Sequence, residues 1–145
     1  MKHTINALFA CVCLFISVGL SAAPAMPLSE IEILNVASTT SAAEDVSDGR
    51  KQTERHHGGP RITVHVLERG YGGQPTVTFN GQALNGKRTP VCNKGEGLVT
   101  CDGAGTTVGY LYTFEWGNKD GGLFQFSNTS LVAPFTRLVA QLYIQ

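Results

Sequence analysis

Thr106-Thr107-Val108-Gly109-Tyr110-Leu111-Tyr112-Thr113-Phe114-Glu115-Trp116 places a large apolar side chain at every second position. That period of two is the mark of a strand, because successive side chains leave a strand on opposite faces. Val108, Tyr110, Tyr112, Phe114 and Trp116 share one face, and Thr107, Gly109, Leu111, Thr113 and Glu115 the other. A strand with so heavy an aromatic face must cover something, so it predicts a central strand with its rings in a core. If that face met water instead, the rings would form a flat platform on which sugars stack.

Outward from this strand the pattern repeats. Downstream, Gly117 to Gly122 turns the chain, Leu123 to Ser127 returns it, and a loop ending at Pro134 precedes alternating Leu138, Ala140, Leu142 and Ile144. Upstream, Ile62, Val64 and Val66 alternate before Gly70-Tyr71-Gly72-Gly73-Gln74-Pro75. Thr76 to Phe79 runs into Asn80-Gly81, the dipeptide best suited to a two-residue type I′ hairpin, since both central residues need positive φ. Gln82 to Leu84 is a short return strand, Asn85-Gly86 repeats the turn signal, and Thr89 to Cys92 and Leu98 to Cys101 are extended. Ile31, Ile33 and Val36 mark a first strand between Ile31 and Ser38. No stretch has a helical period. Seven or eight short strands in about 120 residues predict an all-β antiparallel sandwich, immunoglobulin-like or similar.

The chain has 145 residues, enough for one domain and too few for two with real cores. Only 15% of residues are charged while glycine numbers 17, which fits strands joined by turns. Lys plus Arg and Asp plus Glu both number 11, so the basic footprint of nucleic-acid or anionic-membrane binding is missing.

Residues 1–25 read as a secretory signal peptide: Lys2, an apolar run from Leu8 to Leu20, then Ala23-Pro24-Ala25 as a cleavage site. The run is about 13 residues where a spanning helix needs roughly 20, so no stable membrane insertion is expected after cleavage. The mature chain, 26–145, is expected to be secreted or periplasmic. Lys2 leaves with the signal, so ten cations face eleven acids and the mature charge is −1.

Cys11 and Cys13 leave as well, and Cys92 and Cys101 remain, separated by turn-forming Asn93-Lys94-Gly95-Glu96-Gly97. In an oxidising compartment a short-loop disulfide is expected; a ten-residue loop stabilises by about 2.5 to 3 kcal/mol in the chain-entropy model. Their spacing suits no zinc site, and neither a metal nor a cofactor is expected.

From Thr39 to Pro60 the composition turns to Ser, Thr, Ala, charge, His and Gly, with Val46 as the one large apolar residue. That predicts a mobile polar loop, 39–60, inside the domain. His56 and His57 lie in it, read as solvated, although His57 is also a candidate for ligand binding or acid-base work. His65 sits on the next strand and would meet His57 only if the loop folded back. Glu68, Glu96, Asp102, Glu115 and Asp120 offer carboxylates at no selecting spacing, and each reads as a turn or rim residue. Tyr71, in the Gly70–Pro75 turn, is the second candidate ligand-binding residue. Asn128-Thr129-Ser130 matches a glycosylation acceptor and reads as a loop.

His57-Gly58-Gly59, the Leu67 to Gly72 stretch ending in Gly-Tyr-Gly, Asn80-Gly81, Thr107-Val108-Gly109-Tyr110 and the closing Leu142 to Gln145 together resemble the YolA-type family of small secreted bacterial proteins. The resemblance covers most of the mature chain and implies a secreted or periplasmic single domain, with no mechanism attached.

Three functions compete. The scaffold and the lack of a catalytic motif favour a non-catalytic binding module whose loops 39–60 and 70–75 meet an extracellular glycan or protein. A secreted antibacterial or host-directed effector is the alternative. The third is a small hydrolase in which folding brings a carboxylate to His57.

Overall fold

The alternation that opens the sequence becomes the longest strand of a β-sandwich. The computed structural model describes residues 25–95, 97–103, 105–118 and 120–145; the signal-peptide reading of 1–25 lies almost wholly outside them. In chain order the strands are β1 (Glu30–Ser38), β2 (Glu44–Asp45), β3 (Gly59–Arg69), β4 (Thr76–Phe79), β5 (Gln82–Ala83), β6 (Gly86–Asn93), β7 (Leu98–Thr100), β8 (Thr107–Asn118), β9 (Gly122–Thr129) and β10 (Arg137–Ile144). They form two antiparallel sheets, β2-β1-β3-β8-β6-β7 and β10-β9-β4-β5. Two of the ten strands are only two residues long, which accounts for the excess over the seven or eight expected.

β8 lies between β3 and β6, with Ile62 opposite Trp116, Val64 opposite Phe114 and Val66 opposite Tyr112. These inward positions meet Phe124 and Phe126 of β9, Val77 and Phe79 of β4, and Leu142 and Ile144 of β10. The rings pack at angles: Tyr112 and Phe126 centroids are 5.1 Å apart in an edge contact, and Phe79 and Trp116 are 5.0 Å apart. Such pairs add about 0.5 to 1.5 kcal/mol beyond the area they bury. The aromatic face is therefore core rather than an exposed platform.

Local chemistry explains the joints. Ile33 and Val36 cannot share a face at strict period two; a bulge between Ile33 and Asn35 shifts the parity and buries both. Asn80 and Gly81 both have positive φ, 50° and 79°, as the hairpin requires, and Asn80 Oδ1 also accepts from Leu123 N at 2.8 Å. Asn85-Gly86, expected to be another turn, instead opens β6; a Cβ on Gly86 would strike the Phe114 ring, so glycine serves close packing. The Cys92–Cys101 disulfide forms as expected and joins β6 to the end of β7.

Segment 39–60 is the largest departure from expectation. Rather than a free loop it is a strap: Glu44–Asp45 pairs with β1, Val46 is 2% exposed within the core, and Thr53 and His57 are buried. Its backbone runs beside β10, where Tyr143 N donates to Lys51 O at 2.9 Å and Thr53 N donates to Tyr143 O at 3.0 Å. Polar composition failed as a guide because the strap is ordered by hydrogen bonds to other elements, not by an apolar stripe of its own.

Candidate functional site

β3 carries its core stripe one step further than its apolar residues do: Ile62, Val64 and Val66 are followed on the same face by Glu68. Glu68 is fully buried, not the rim residue expected. Its carboxylate accepts from Asn128 Nδ2 at 2.6 Å and from Gly72 N at 3.3 Å. Asn128 also donates to Gly73 O at 3.1 Å, so one amide ties β9 to both β3 and the 70–75 turn. That partnership buries the Asn128 side chain and removes the glycosylation reading. A Cβ on Gly72 would collide with the Asn128 amide, which requires glycine there.

The turn is held on every side. Tyr71 N donates to Met26 O at 3.0 Å, Leu131 N donates to Tyr71 O at 3.0 Å, and the Tyr71 hydroxyl donates to Thr107 O at 2.8 Å. Between this turn and the facing strands β4, β6 and β8 opens a cleft of about 540 Å³. Tyr71 and Tyr110 meet edge to face at its wall, 6.2 Å between centroids, and Gln74 and Asn85 bring amides to its lining. The Arg88 guanidinium lies over the Tyr110 ring, 3.3 Å from its centroid. At that distance cation and ring attract, and the stack restricts the arginine to one plane.

Tyr112 closes the floor. Its side chain is buried, and its hydroxyl faces the Glu68 carboxylate without completing a hydrogen bond of good geometry. Burial first, and then the nearby Glu68 charge, push its phenol above the ordinary range. Burial likewise raises Glu68, and the opposing pull of Asn128, Gly72, Arg88 and the Tyr112 hydroxyl does not offset it. Both titratable groups at the floor are thus shifted toward their neutral forms by burial.

Of the two residues singled out beforehand, Tyr71 lies in this cleft and His57 does not. Folding does bring a carboxylate to His57: Nε2 is 3.2 Å from Glu44 Oε2, under the strap toward the other end of the sandwich. Glu44 also accepts from Glu54 N at 2.6 Å and Arg55 N at 3.0 Å, and pairs with Arg50 at 3.3 Å. Burial alone would raise its carboxyl, but the Glu54 and Arg55 amides and His57 together hold it below the ordinary value. The pair is buried, His57 is not the solvated loop residue expected, and neither side chain lines the cleft. His65 is apart from both, its Nδ1 2.8 Å from Asn35 Oδ1. Among the described residues no cluster of three or more His, Cys, Asp or Glu is placed to hold a metal ion.

Arg88, Tyr112 and Glu68 are the residues sequence reasoning missed as a site. Parity along β3 and β8 could have placed Glu68 and Tyr112 inward together; nothing local joins residue 88 to residue 110, which only the sheet register brings side by side.

A family model described as a domain of unknown function, DUF4879, matches residues 23–144. No curated protein and no solved structure matches the chain.

Proposed function

The chain belongs to the DUF4879 family, and for it we propose a non-catalytic binding module, secreted or periplasmic, whose cleft beside Tyr71 takes a saccharide. The observation that carries this reading is the Tyr112 hydroxyl, buried at the cleft floor without a partner. A buried polar group left unpaired costs about 1 to 3 kcal/mol, and a ligand hydroxyl reaching the floor would relieve that cost. The Tyr71 ring beside the amides of Gln74 and Asn85 supplies the mixed apolar and hydrogen-bonding wall that a sugar's two kinds of surface need.

The hydrolase alternative loses support, since His57 and Glu44 are buried and neither lines the cleft. The reading of residues 1–25 as a signal peptide, the Cys92–Cys101 disulfide and the resemblance to the YolA-type family support the secreted setting of the proposal.

The test is calorimetric titration of the mature protein against neutral and acidic oligosaccharides. Binding should appear for at least one, and Tyr112→Phe should weaken it by about tenfold, the loss of one good hydrogen bond, while leaving the fold intact. A panel with no binder, or a Tyr112→Phe protein that binds as the parent does, overturns the reading.

A further inference from the structure

The chain is neutral overall, yet the cleft is not. Its lining contains tyrosines, amides, glycines and aliphatic side chains, and Arg88 is the one residue there with a full charge. Arg88 makes no ion pair among the described residues, and its stack on Tyr110 presets the guanidinium plane. Glu68 stands behind the floor, outside the lining, with its carboxylate taken by Asn128 and Gly72. Glu68 and Arg88 act on each other through space, with no ion pair between them, so the guanidinium donors stay open to a ligand.

We infer that the ligand of this cleft is an acidic saccharide whose carboxylate is gripped by Arg88. The inference rests on the saccharide reading above and narrows it. A guanidinium offers two parallel N–H donors to a carboxylate in a fork that matches its two oxygens, and such charge-assisted pairs are the stronger class of hydrogen bond. The stack on Tyr110 holds the fork before the ligand arrives, so less freedom is lost on binding. A uronic acid supplies the matching carboxylate next to ring hydroxyls, one of which can meet Tyr112 while its C–H face lies on Tyr71.

Oligomers of galacturonate, glucuronate and mannuronate, each compared with its methyl ester, test this directly, because ester and acid share a skeleton and differ in charge. At low ionic strength at least one acid should bind the mature protein about tenfold or more tightly than its ester. Arg88→Gln should bring that ratio close to one, and Arg88→Lys, with the charge but not the fork, should leave an intermediate ratio. Equal binding of acid and ester would overturn the inference while the saccharide reading stands. A preference for acid that survives Arg88→Gln would also overturn it, by placing the carboxylate elsewhere. Failure of every acid, every ester and the neutral oligosaccharides overturns both together.

Discussion

Glu44 and Glu68 are two buried carboxylates toward opposite ends of one sandwich, and they are solved in opposite ways. Glu44 is surrounded by donors with charge or dipole to spare: two backbone amides, Arg50 and His57. Glu68 has one side-chain amide and one backbone N–H. The first carboxyl is held below its ordinary value and the second above it. Burial raises both, more for the deeper Glu68, while the greater number of donors around Glu44 more than offsets it there, so depth and donors together set the direction. At one end the Glu44 carboxylate fastens a strap; at the other the Glu68 carboxyl, shifted upward, underlies an open cleft.

Replacing the two residues should separate these roles. Glu44→Ala strands two backbone N–H groups and the Arg50 and His57 side chains, and should destabilise by about 3 kcal/mol, the upper range for hydrogen bonds to a charged acceptor. Urea denaturation measures the loss, and hydrogen exchange should accelerate across residues 44–57 first. Glu68→Gln keeps the acceptor for Asn128 and gives up the long one for Gly72 N, and should shift stability by about 1 kcal/mol. Equal losses at the two sites would erase the distinction.

The disulfide gives the next largest effect, and at the cleft end. Cys92 pairs with Thr107, whose carbonyl accepts the Tyr71 hydroxyl. The double variant Cys92→Ser, Cys101→Ser should lose about 2.5 kcal/mol, as expected for a loop of this length. Hydrogen exchange should rise around Thr107 and Tyr71 and stay unchanged at the strap. Faster exchange at residues 44–57 instead would show that the two ends are not independent.

These contrasts divide sharply by how far each could be read from sequence. The alternation of β8 and β3, the Asn80-Gly81 hairpin and the disulfide rest on neighbours in the chain, and the fold class followed from them. The strap did not, because Glu44 finds its donors ten and more residues away and Val46 is a lone apolar residue in polar surroundings. Tyr71 was legible as a turn residue, but its neighbours Arg88 and Tyr110 come together only through the β6–β8 register. Burial of a glutamate in line with Ile62, Val64 and Val66 was present in the parity, yet residue type argued for the rim.

Stability against pH should show the two carboxylates pulling in opposite directions. Glu44 titrates below its ordinary 4.5 in the folded state, so its stabilisation is present above that value and is lost as pH falls through the folded value. Glu68 titrates above 4.5 when folded, so the unfolded chain releases this proton first; stability declines as pH climbs from 4.5 to the folded value, then levels. Urea midpoints measured against pH should lose the acid limb in Glu44→Gln and the decline above it in Glu68→Gln. A profile unchanged by either variant would break the assignment of the two opposite shifts.

The smallest effect tests what kind of place the cleft floor is. Tyr112→Phe removes a hydroxyl that has no partner and leaves the ring, whose contacts with Phe114 and Phe126 carry its packing. A paired hydroxyl would cost stability when deleted; an unpaired one returns its desolvation penalty. The variant should therefore be as stable as the parent or more stable, by no more than about 1 kcal/mol. Thermal melting of the ligand-free protein decides this. A clear loss of stability would mean that the hydroxyl is already satisfied in the folded protein. The cleft would then have no unmet hydrogen bond to offer a sugar, and the contrast between a fastened end and a receptive one would fail at its receptive side.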